Sequence, residues 1–422
     1  MTERFCGLDF GTSNSTVGIS AGGREKLCAL EDGKVTLPSA IFFDYEHGGV
    51  RFGRDAIGAY IDGVEGRLLR AIKSVLGSSL ISETTQVQRR RIGFPEIIGM
   101  LLKQLKSSAE EQLGQPIESV VLGRPVRFVD NDDAADRQAQ QELIDIATNQ
   151  GFRHVEMQFE PVAAALDYET SLDREELAMI VDLGGGTSDF AVTRLSPDRS
   201  RHADRSEDIL GRSGIHIGGT DFDRMLSVAE VMPELGMLAK IGPKRLNVPV
   251  WIFQDLATWH RIPSLYTSAN LTYLRSVRRS ADQPELIDRL IDILMHRNGH
   301  RLNAEVEAAK IALSTADRAT IEVPVETPVE VTVTRQQLEE SFRRVVAEIV
   351  HGIDRCLMDA DITHDRIQSV FLTGGSTAIP AIRARVLEHL PHARPVDGDV
   401  FGSVGLGLTI DAARRFGNHK PR

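Results

Sequence analysis

Two apolar runs in this chain end in the same way, on an aspartate followed by a glycine turn. Residues 5–10, Phe-Cys-Gly-Leu-Asp-Phe, run into Gly11-Thr12-Ser13-Asn14-Ser15, and a second apolar run at 17–20 leaves the turn. That pattern predicts a hairpin with a polar tip. It returns at 177–182, Leu-Ala-Met-Ile-Val-Asp, which enters Leu183-Gly184-Gly185-Gly186-Thr187-Ser188-Asp189 and leaves through 190–193. Two copies at domain-sized separation imply two related lobes rather than a short-period solenoid.

Between the copies the period changes to that of helices at 95–112, at 134–149 and from Pro161 onward, with strands at 119–123 and 155–159. Strands alternating with helices of this length predict an α/β architecture. The stretch 225–300 carries both tryptophans and several prolines without a clear strand, so it is expected to be a mainly helical insertion. Beyond it the pattern predicts a helix at 304–314, strands at 320–323 and 329–333, and one long helix at 336–358. A strand at 370–372 then meets Thr373-Gly374-Gly375-Ser376-Thr377, followed by helices from Pro380 and from about Gly402, and a frayed tail at 417–422.

The 422 residues are 41% apolar and 26% charged with a formal net charge of −11, which excludes a disordered, coiled-coil or collagen-like chain. The acidic balance argues against nucleic acid as a partner, since phosphate binding needs clustered Lys and Arg. Cys6, Cys28 and Cys356 are odd in number and lack C-x-x-C spacing, so neither a disulfide framework nor a zinc site is expected. With no leader-like start and no long apolar run, a cytoplasmic location without membrane contact is the expectation.

An aspartate at a strand end followed by Gly-Thr or Gly-Gly-Gly-Thr suits a polyphosphate and its metal. Glycines let backbone amides converge on phosphate oxygens, the hydroxyl adds a donor, and the carboxylate faces a hydrated Mg²⁺. One such turn is ordinarily only a hairpin connection. Here two are joined by Gly218-Gly219-Thr220-Asp221-Phe222-Asp223 and by Thr373-Gly374-Gly375-Ser376, and loop closure alone does not account for four. No P-loop signature and no intact G-x-G-x-x-G after a strand occurs.

These motifs carry a resemblance. Residues 7–15 resemble the first phosphate motif of the DnaK-type (heat-shock protein 70) chaperones, within the actin and hexokinase superfamily of two-lobed ATPases. Phe159-Glu160-Pro161-Val162-Ala163-Ala164-Ala165 is similar to that family's connecting helix, and residues 181–189 to its second phosphate motif. Residues 216–223 resemble its Gly-Gly-x-Asp-Phe-Asp segment, 371–380 its adenosine motif and 399–407 its closing helix. Leu122-Gly123-Arg124-Pro125 and residues 309–314 look most like a short bacterial, chaperone-like branch.

The resemblance implies an actin-like fold of duplicated ribonuclease-H-like domains. Lobe I would span 1–172 and be completed by 399–422, and lobe II would span 173–398 with the helical insertion at 225–303. A C-terminal peptide-binding domain is not expected. The cofactors implied are ATP or ADP and Mg²⁺, with Asp9 and Asp182 flanking the metal largely through water. Gly11, Thr12, Ser13 and Asn14 and Gly184, Gly185, Gly186 and Thr187 would bind phosphate. Lys73 occupies the place of the family's catalytic lysine, and Glu160 and Asp182, supported by Asp189, would orient or deprotonate the attacking water. Gly218, Gly219, Gly374, Gly375, Ser376 and Asp399 belong to the implied nucleotide site. Glu307, Lys310 and Ser314 match its ribose and adenine row.

One departure stands out. The family's two arginines that sandwich adenine are replaced by Ile311 and Ala378, which predicts weaker or less selective purine binding, because neither residue stacks on a base as a guanidinium does. The function expected is a slow ATPase acting as a chaperone-like, nucleotide-driven switch, with a protein partner or client at the insertion. A non-hydrolysing nucleotide-binding scaffold and a small-molecule kinase of the same superfamily are the alternatives. His296 and His300, the acidic loop at 130–133 and the Arg275, Arg278 and Arg279 helix face are read as structural or surface features.

Overall fold

The computed structural model describes residues 4–129, 132–199, 202, 205–396 and 402–417. It is a mixed α/β structure with two compact units. One is Met1–Ile217 with Glu348–Ala378 and Ile382–Arg422, and the other is Gly218–Ala347 with Ile379–Ala381.

Both large sheets lie in the first unit. In one, the strands run in the order His154–Phe159, Ser119–Arg124, Phe5–Phe10, Asn14–Ala21, Arg24–Leu27, and the short Leu37–Pro38 strand pairs with Asn14–Ala21. The first three are parallel and the hairpin is antiparallel, with Asp9 opposite Thr16. The other sheet has the order Ile209–Ile215, Ser188–Leu195, Glu176–Leu183, Ser369–Thr373, Arg394–Val396. It repeats the arrangement: the hairpin places Asp182 opposite Asp189, and Thr373 runs parallel beside Asp182. The central strands read as continuous apolar runs because they are covered on both faces, and Leu8, Phe10, Ile180 and Val181 are fully buried.

The helices follow their sequence signals. Phe94–Leu113 buries Ile97, Ile98, Leu101, Leu102 and Leu105 on one stripe and stops at Gly114, whose φ is +73°. Asp132 caps Asp133–Asn149 by accepting from the Ala134 and Ala135 N–H groups. The closing helix Ser403–Phe416 lies on the first strand and on Glu160–Glu169. A Cβ on Gly7 would fall 2.1 Å from the Thr409 nitrogen, and one on Gly407 would fall 1.8 Å from the Ala163 oxygen. Glycine at those two positions is what allows the backbones to approach so closely.

Several expectations need correction. The single helix expected at 336–358 is two, Arg335–Ser341 and Arg343–Asp359. Phe342 between them leaves helical geometry, at φ −116° and ψ 14°, and packs its ring 5.1 Å from that of Phe222. The helix expected at 304–314 starts earlier, at Gly299, and ends at Leu313. The insertion is mainly helical but also holds a short strand pair, Lys240–Ile241 with Leu246–Asn247. Residues 24–93, for which the sequence pattern predicted nothing, add the strands Arg24–Leu27 and Leu37–Pro38 to the first sheet and form the helix Gly53–Ile61 and small antiparallel sheets, one of them Val50–Phe52, Ala40–Asp44 and Gly66–Arg70. Among the described residues no helix is long and apolar enough to cross a membrane.

Candidate functional site: a carboxylate centre between two glycine turns

Four carboxylates and one ammonium meet in the first unit. Asp9 sits one residue from the end of its strand, Asp182 and Asp189 face each other across the second hairpin, and Glu160 opens the helix Glu160–Glu169. Lys73 comes from a short 3-10 turn, Ile72–Val75, entered through Ala71 in the left-handed region at φ +55°. Its Nζ donates to Glu160 Oε1 at 2.6 Å, and both residues are buried. The resemblance alone puts Lys73 in the site, since a lysine on a short turn is ordinarily solvated, and the fold pairs it with Glu160, 87 residues away in the sequence.

The electrostatics follow from this crowding. Burial, with the Glu160 charge beside it, pushes the Asp9 carboxyl up to about 8. Burial and the facing Asp182 push Asp189 up to about 8 as well. Asp182 is raised to about 6 by burial and Glu160, while Lys73 and the nearby Thr373 hydroxyl pull the other way. Burial acts against the charged form of Lys73, yet its pKa ends above the ordinary value because Glu160, Asp9 and Asp189 surround it. One ammonium does not balance four carboxylates, so the centre is short of positive charge.

The glycine turns stand over this centre. A Cβ on Gly185 would fall 1.6 Å from Ser13 Oγ, and one on Gly186 would fall 3.6 Å from Thr12 Cγ2, so the tips of the two hairpins meet. A Cβ on Gly11 would strike the Asn14 oxygen at 2.1 Å. The first turn is braced by Ser39, whose Oγ donates to the Gly11 oxygen at 2.6 Å and whose N–H donates to the Ser13 oxygen at 2.8 Å. In the second, the Gly184 N–H donates to the Thr187 oxygen at 2.9 Å and Thr187 Oγ1 donates to Asp189 Oδ2 at 3.2 Å. Gly374, at φ +80°, closes the side: a Cβ there would lie 2.4 Å from the Leu183 oxygen and 2.7 Å from Asp182 Oδ1. Gly375 and Ser376 continue from it in a 3-10 turn that buries Ser376.

Two residues with no role in the site assigned from the sequence contribute. Gly123 separates Asp9 from Glu160, since a Cβ on it would reach Glu160 Cγ at 3.2 Å and Asp9 Oδ1 at 3.5 Å. The resemblance marks its segment, Leu122-Gly123-Arg124-Pro125, but assigns it no contact with these carboxylates. Ser39, the brace of the first turn, has no signal at all. Beside Asp189 a cavity of about 600 Å³ opens, lined in part by Arg127, Arg212 and Arg355, which leaves that carboxylate a second approach.

Gly218, Gly219, Glu307, Lys310 and Ser314 lie in the second unit. Gly218 and Gly219 start the helix Gly219–Leu226, and the Gly218 N–H donates to Asp221 Oδ2 at 3.1 Å. Lys310 Nζ pairs with Asp223 Oδ1 at 2.7 Å and donates to the Gly219 oxygen at 3.2 Å, so the fold joins this lysine to the glycine turn. Glu307 shares its helix, Gly299–Leu313, and Ser314 caps the end. Ile311 is 61% exposed, an apolar surface where the resemblance calls for arginine. Asp399 lies outside the described residues.

The features read as structural have partners. His300 meets the Trp259 ring edge-on with centroids 4.7 Å apart and bonds the Trp259 oxygen at 3.0 Å, while His296 follows the end of its own helix. In the acidic loop, Asp132 is the helix cap and Asp133 pairs with Arg127 at 2.9 Å; Asp130 and Asn131 lie outside the described residues. The three cysteines are free and buried.

The sequence model of a family described as Hsp70 protein matches this chain over residues 5–234 and 283–412. The matched segments contain the whole carboxylate centre, all the glycine turns and the Glu307–Ser314 row. The interval between them falls inside the helical insertion.

Proposed function

The chain belongs to the Hsp70 protein family, and from that membership and its carboxylate centre we propose a slow, Mg²⁺-dependent ATPase that works as a chaperone-like conformational switch. The family gives the coarser part, an ATP-binding, chaperone-like function. The finer part is supported above all by the meeting of the two hairpin tips, Gly185 on Ser13, directly beside Asp9, Asp182 and Lys73.

The residues present fit the ligand. The glycine turns and the Ser13 and Thr12 hydroxyls offer phosphate donors without side chains in the way, and the Thr187 hydroxyl, which donates to Asp189 in the free protein, joins them on turning away from it. Asp9 and Asp182 are the carboxylates for Mg²⁺, and their raised pKa values in the free protein express the positive charge that the centre lacks. When bound, Mg²⁺ supplies charge neutralisation at the phosphates. Lys73 stays protonated, held by Glu160, and adds a fixed positive charge for the phosphoryl group in flight. Glu160 uses Oε1 for Lys73 and has Oε2 to orient water. Asp189, raised to about 8, holds its proton near neutral pH in the free protein, so it can serve as a base for the attacking water only after giving that proton up.

In this reading the chain adopts the two-lobed actin-like arrangement, with lobe I at 1–172 completed by 399–422 and lobe II at 173–398. Nucleotide shifts the population between open and closed lobes. The interval 235–282, which the family match passes over, is the proposed contact for a protein partner, and it exposes Leu238, Leu246 and Trp251.

Single-turnover phosphate release with and without Mg²⁺ tests the proposal, alongside Thr187→Ala and Asp182→Asn. Metal-dependent release in the wild type, reduced about 100-fold or more in Asp182→Asn while nucleotide still binds, is the expected result. Nucleotide binding without any phosphate release would instead mark a non-hydrolysing scaffold. Release that requires an added metabolite acceptor would mark a kinase.

A further inference from the structure

A second cluster of metal-ligating side chains lies in the first unit, on elements that precede and follow the strand Ser369–Thr373. Asp354 belongs to the helix Arg343–Asp359, His364 opens the 3-10 turn His364–Arg366, and His389 ends the helix Pro380–His389. His389 Nε2 is 2.6 Å from Asp354 Oδ1, His364 Nε2 is 3.0 Å from the same oxygen, and the two Nε2 atoms are 3.1 Å apart. The rings stand at 87° to each other.

Protons do not satisfy this triangle. For both imidazoles to bond Asp354 Oδ1, each must carry its proton on Nε2, and two N–H groups then face each other at 3.1 Å with no lone pair between them. Moving one proton to the other ring nitrogen relieves that contact but leaves a bare nitrogen against the carboxylate. One cation replaces both protons and turns all three contacts into ligation. We infer that Asp354, His364 and His389 form a site for a divalent transition-metal ion of the zinc class, bound through one carboxylate oxygen and two imidazole Nε2 atoms.

The dimensions agree. Bonds of about 2.0–2.1 Å in a tetrahedron set ligand atoms roughly 3.3 Å apart, so each pair has to separate by less than about 1 Å. The side chains are 35%, 44% and 20% exposed, in the order Asp354, His364, His389, so an ion enters from solvent and keeps a position for water. His389 also sits in the last turn of its helix, where unpaired carbonyls favour a cation. Two nitrogens and one carboxylate oxygen suit zinc, cobalt or nickel better than magnesium. No spacing motif announces the site, because its ligands come from three separate elements. The ion would tie together elements on both sides of the strand that delivers Thr373 and Gly374 to the carboxylate centre, without touching that centre.

The experiment is a Zn²⁺ titration of the full chain without nucleotide, using a competing chromophoric chelator, on wild type, Asp354→Asn, His389→Ala and His296→Ala. His296→Ala removes a surface histidine that pairs with Asp292 at 2.9 Å and serves as the control. One tight site is expected in the wild type and the control, weakened about 100-fold or more in the two cluster variants. Co²⁺ in place of Zn²⁺ should give an intense visible band in the wild type that both variants lose. Zn²⁺ should also raise the wild-type Tm but not that of His389→Ala. Equal affinity in wild type and Asp354→Asn, or no site tighter than about 100 µM, would overturn the assignment. Should His389→Ala fail to fold, the conservative Asp354→Asn and the wild-type Co²⁺ spectrum still decide it.

Discussion

Replacing Lys73 by Ala removes the only ammonium in a centre of four carboxylates. At an effective dielectric of about 20 the 2.6 Å contact with Glu160 is worth about 6 kcal/mol of attraction. Taking both ions out of water costs several kcal/mol each, so the intact pair is close to balanced. What the variant loses is the compensation for Glu160, a loss of about 3–5 kcal/mol in comparable buried pairs. Protonation limits that loss. Neutralising a glutamate that ordinarily titrates near 4.3 costs about 4 kcal/mol at pH 7 and about 2 kcal/mol at pH 6. The variant should therefore lose about 3–4 kcal/mol at pH 7 and about 2 kcal/mol at pH 6. The sign follows from linkage: without the ammonium, the native state holds a proton that the unfolded chain has released, so stability falls as pH rises. Urea unfolding of the nucleotide-free protein at pH 6, 7 and 8 measures it, and Lys73→Ala with Glu160→Gln should recover most of the loss. A loss below about 1 kcal/mol, or one that does not change with pH, would show that Lys73 does not compensate these carboxylates.

Other consequences are more local. Asp9 and Asp189 hold protons up to about 8 in the folded chain and release them near 3.8 when unfolded, so between those values they make the protein less stable as pH rises; Asp189→Asn should flatten the decline in unfolding midpoint between pH 5 and 8, and an unchanged slope would count against the Asp189 assignment. Gly374→Ala forces a Cβ to within 2.4 Å of the Leu183 oxygen at φ +80°, and calorimetry should show a lower Tm equivalent to about 1–3 kcal/mol together with weakened nucleotide binding. Arg205 is buried and bidentate to Glu169 at 2.7 and 2.8 Å, so Arg205→Met should cost about 3–5 kcal/mol in denaturant unfolding, far more than loss of the exposed Arg90–Glu96 pair. Ile311→Arg should tighten ADP over GDP by about 0.5–2 kcal/mol in a nucleotide titration, whereas no gain would place Ile311 away from the base.

The centre was legible in part because its ingredients are local in sequence. An apolar run, an aspartate and a glycine turn lie within ten residues, and each hairpin closes on itself, so Asp9, Asp182, Asp189 and both turns could be named without the fold. Lys73 could be named only by resemblance, because its partner Glu160 is 87 residues away and a lysine followed by apolar residues fits many surfaces. Residues 24–93 stayed unread because their strands are short, for example Val50–Phe52 and Arg24–Leu27, and too few alternations fit into three or four residues to show a period. The split of the 336–358 helix was hidden for a different reason. Nothing in the local pattern forbids helix at Phe342, and it is the buried Phe222 ring, 120 positions earlier in the sequence, that offers the competing contact.

Protonation is the property furthest from the sequence. Asp189 has Ser188 and Phe190 as neighbours, with no charge on either side, yet its pKa is raised first by burial, then by Asp182 across the hairpin and by Glu160 from another element. A one-dimensional reading assigns each of these aspartates an ordinary carboxylate and therefore a full negative charge at neutral pH. In the fold that charge is only partly expressed, because Lys73 is the sole positive side chain among them and the rest of the imbalance is met by protons. Proton uptake and cation binding are alternatives at the same oxygens. A centre built this way is stable when empty and becomes fully charged only when a divalent ion displaces the protons, so Mg²⁺ binding at pH 7 should release on the order of one proton per chain, measurable with a pH indicator in weakly buffered solution. Asp182→Asn should abolish that release, and an unchanged proton count in that variant would refute the link between the raised carboxylates and the metal.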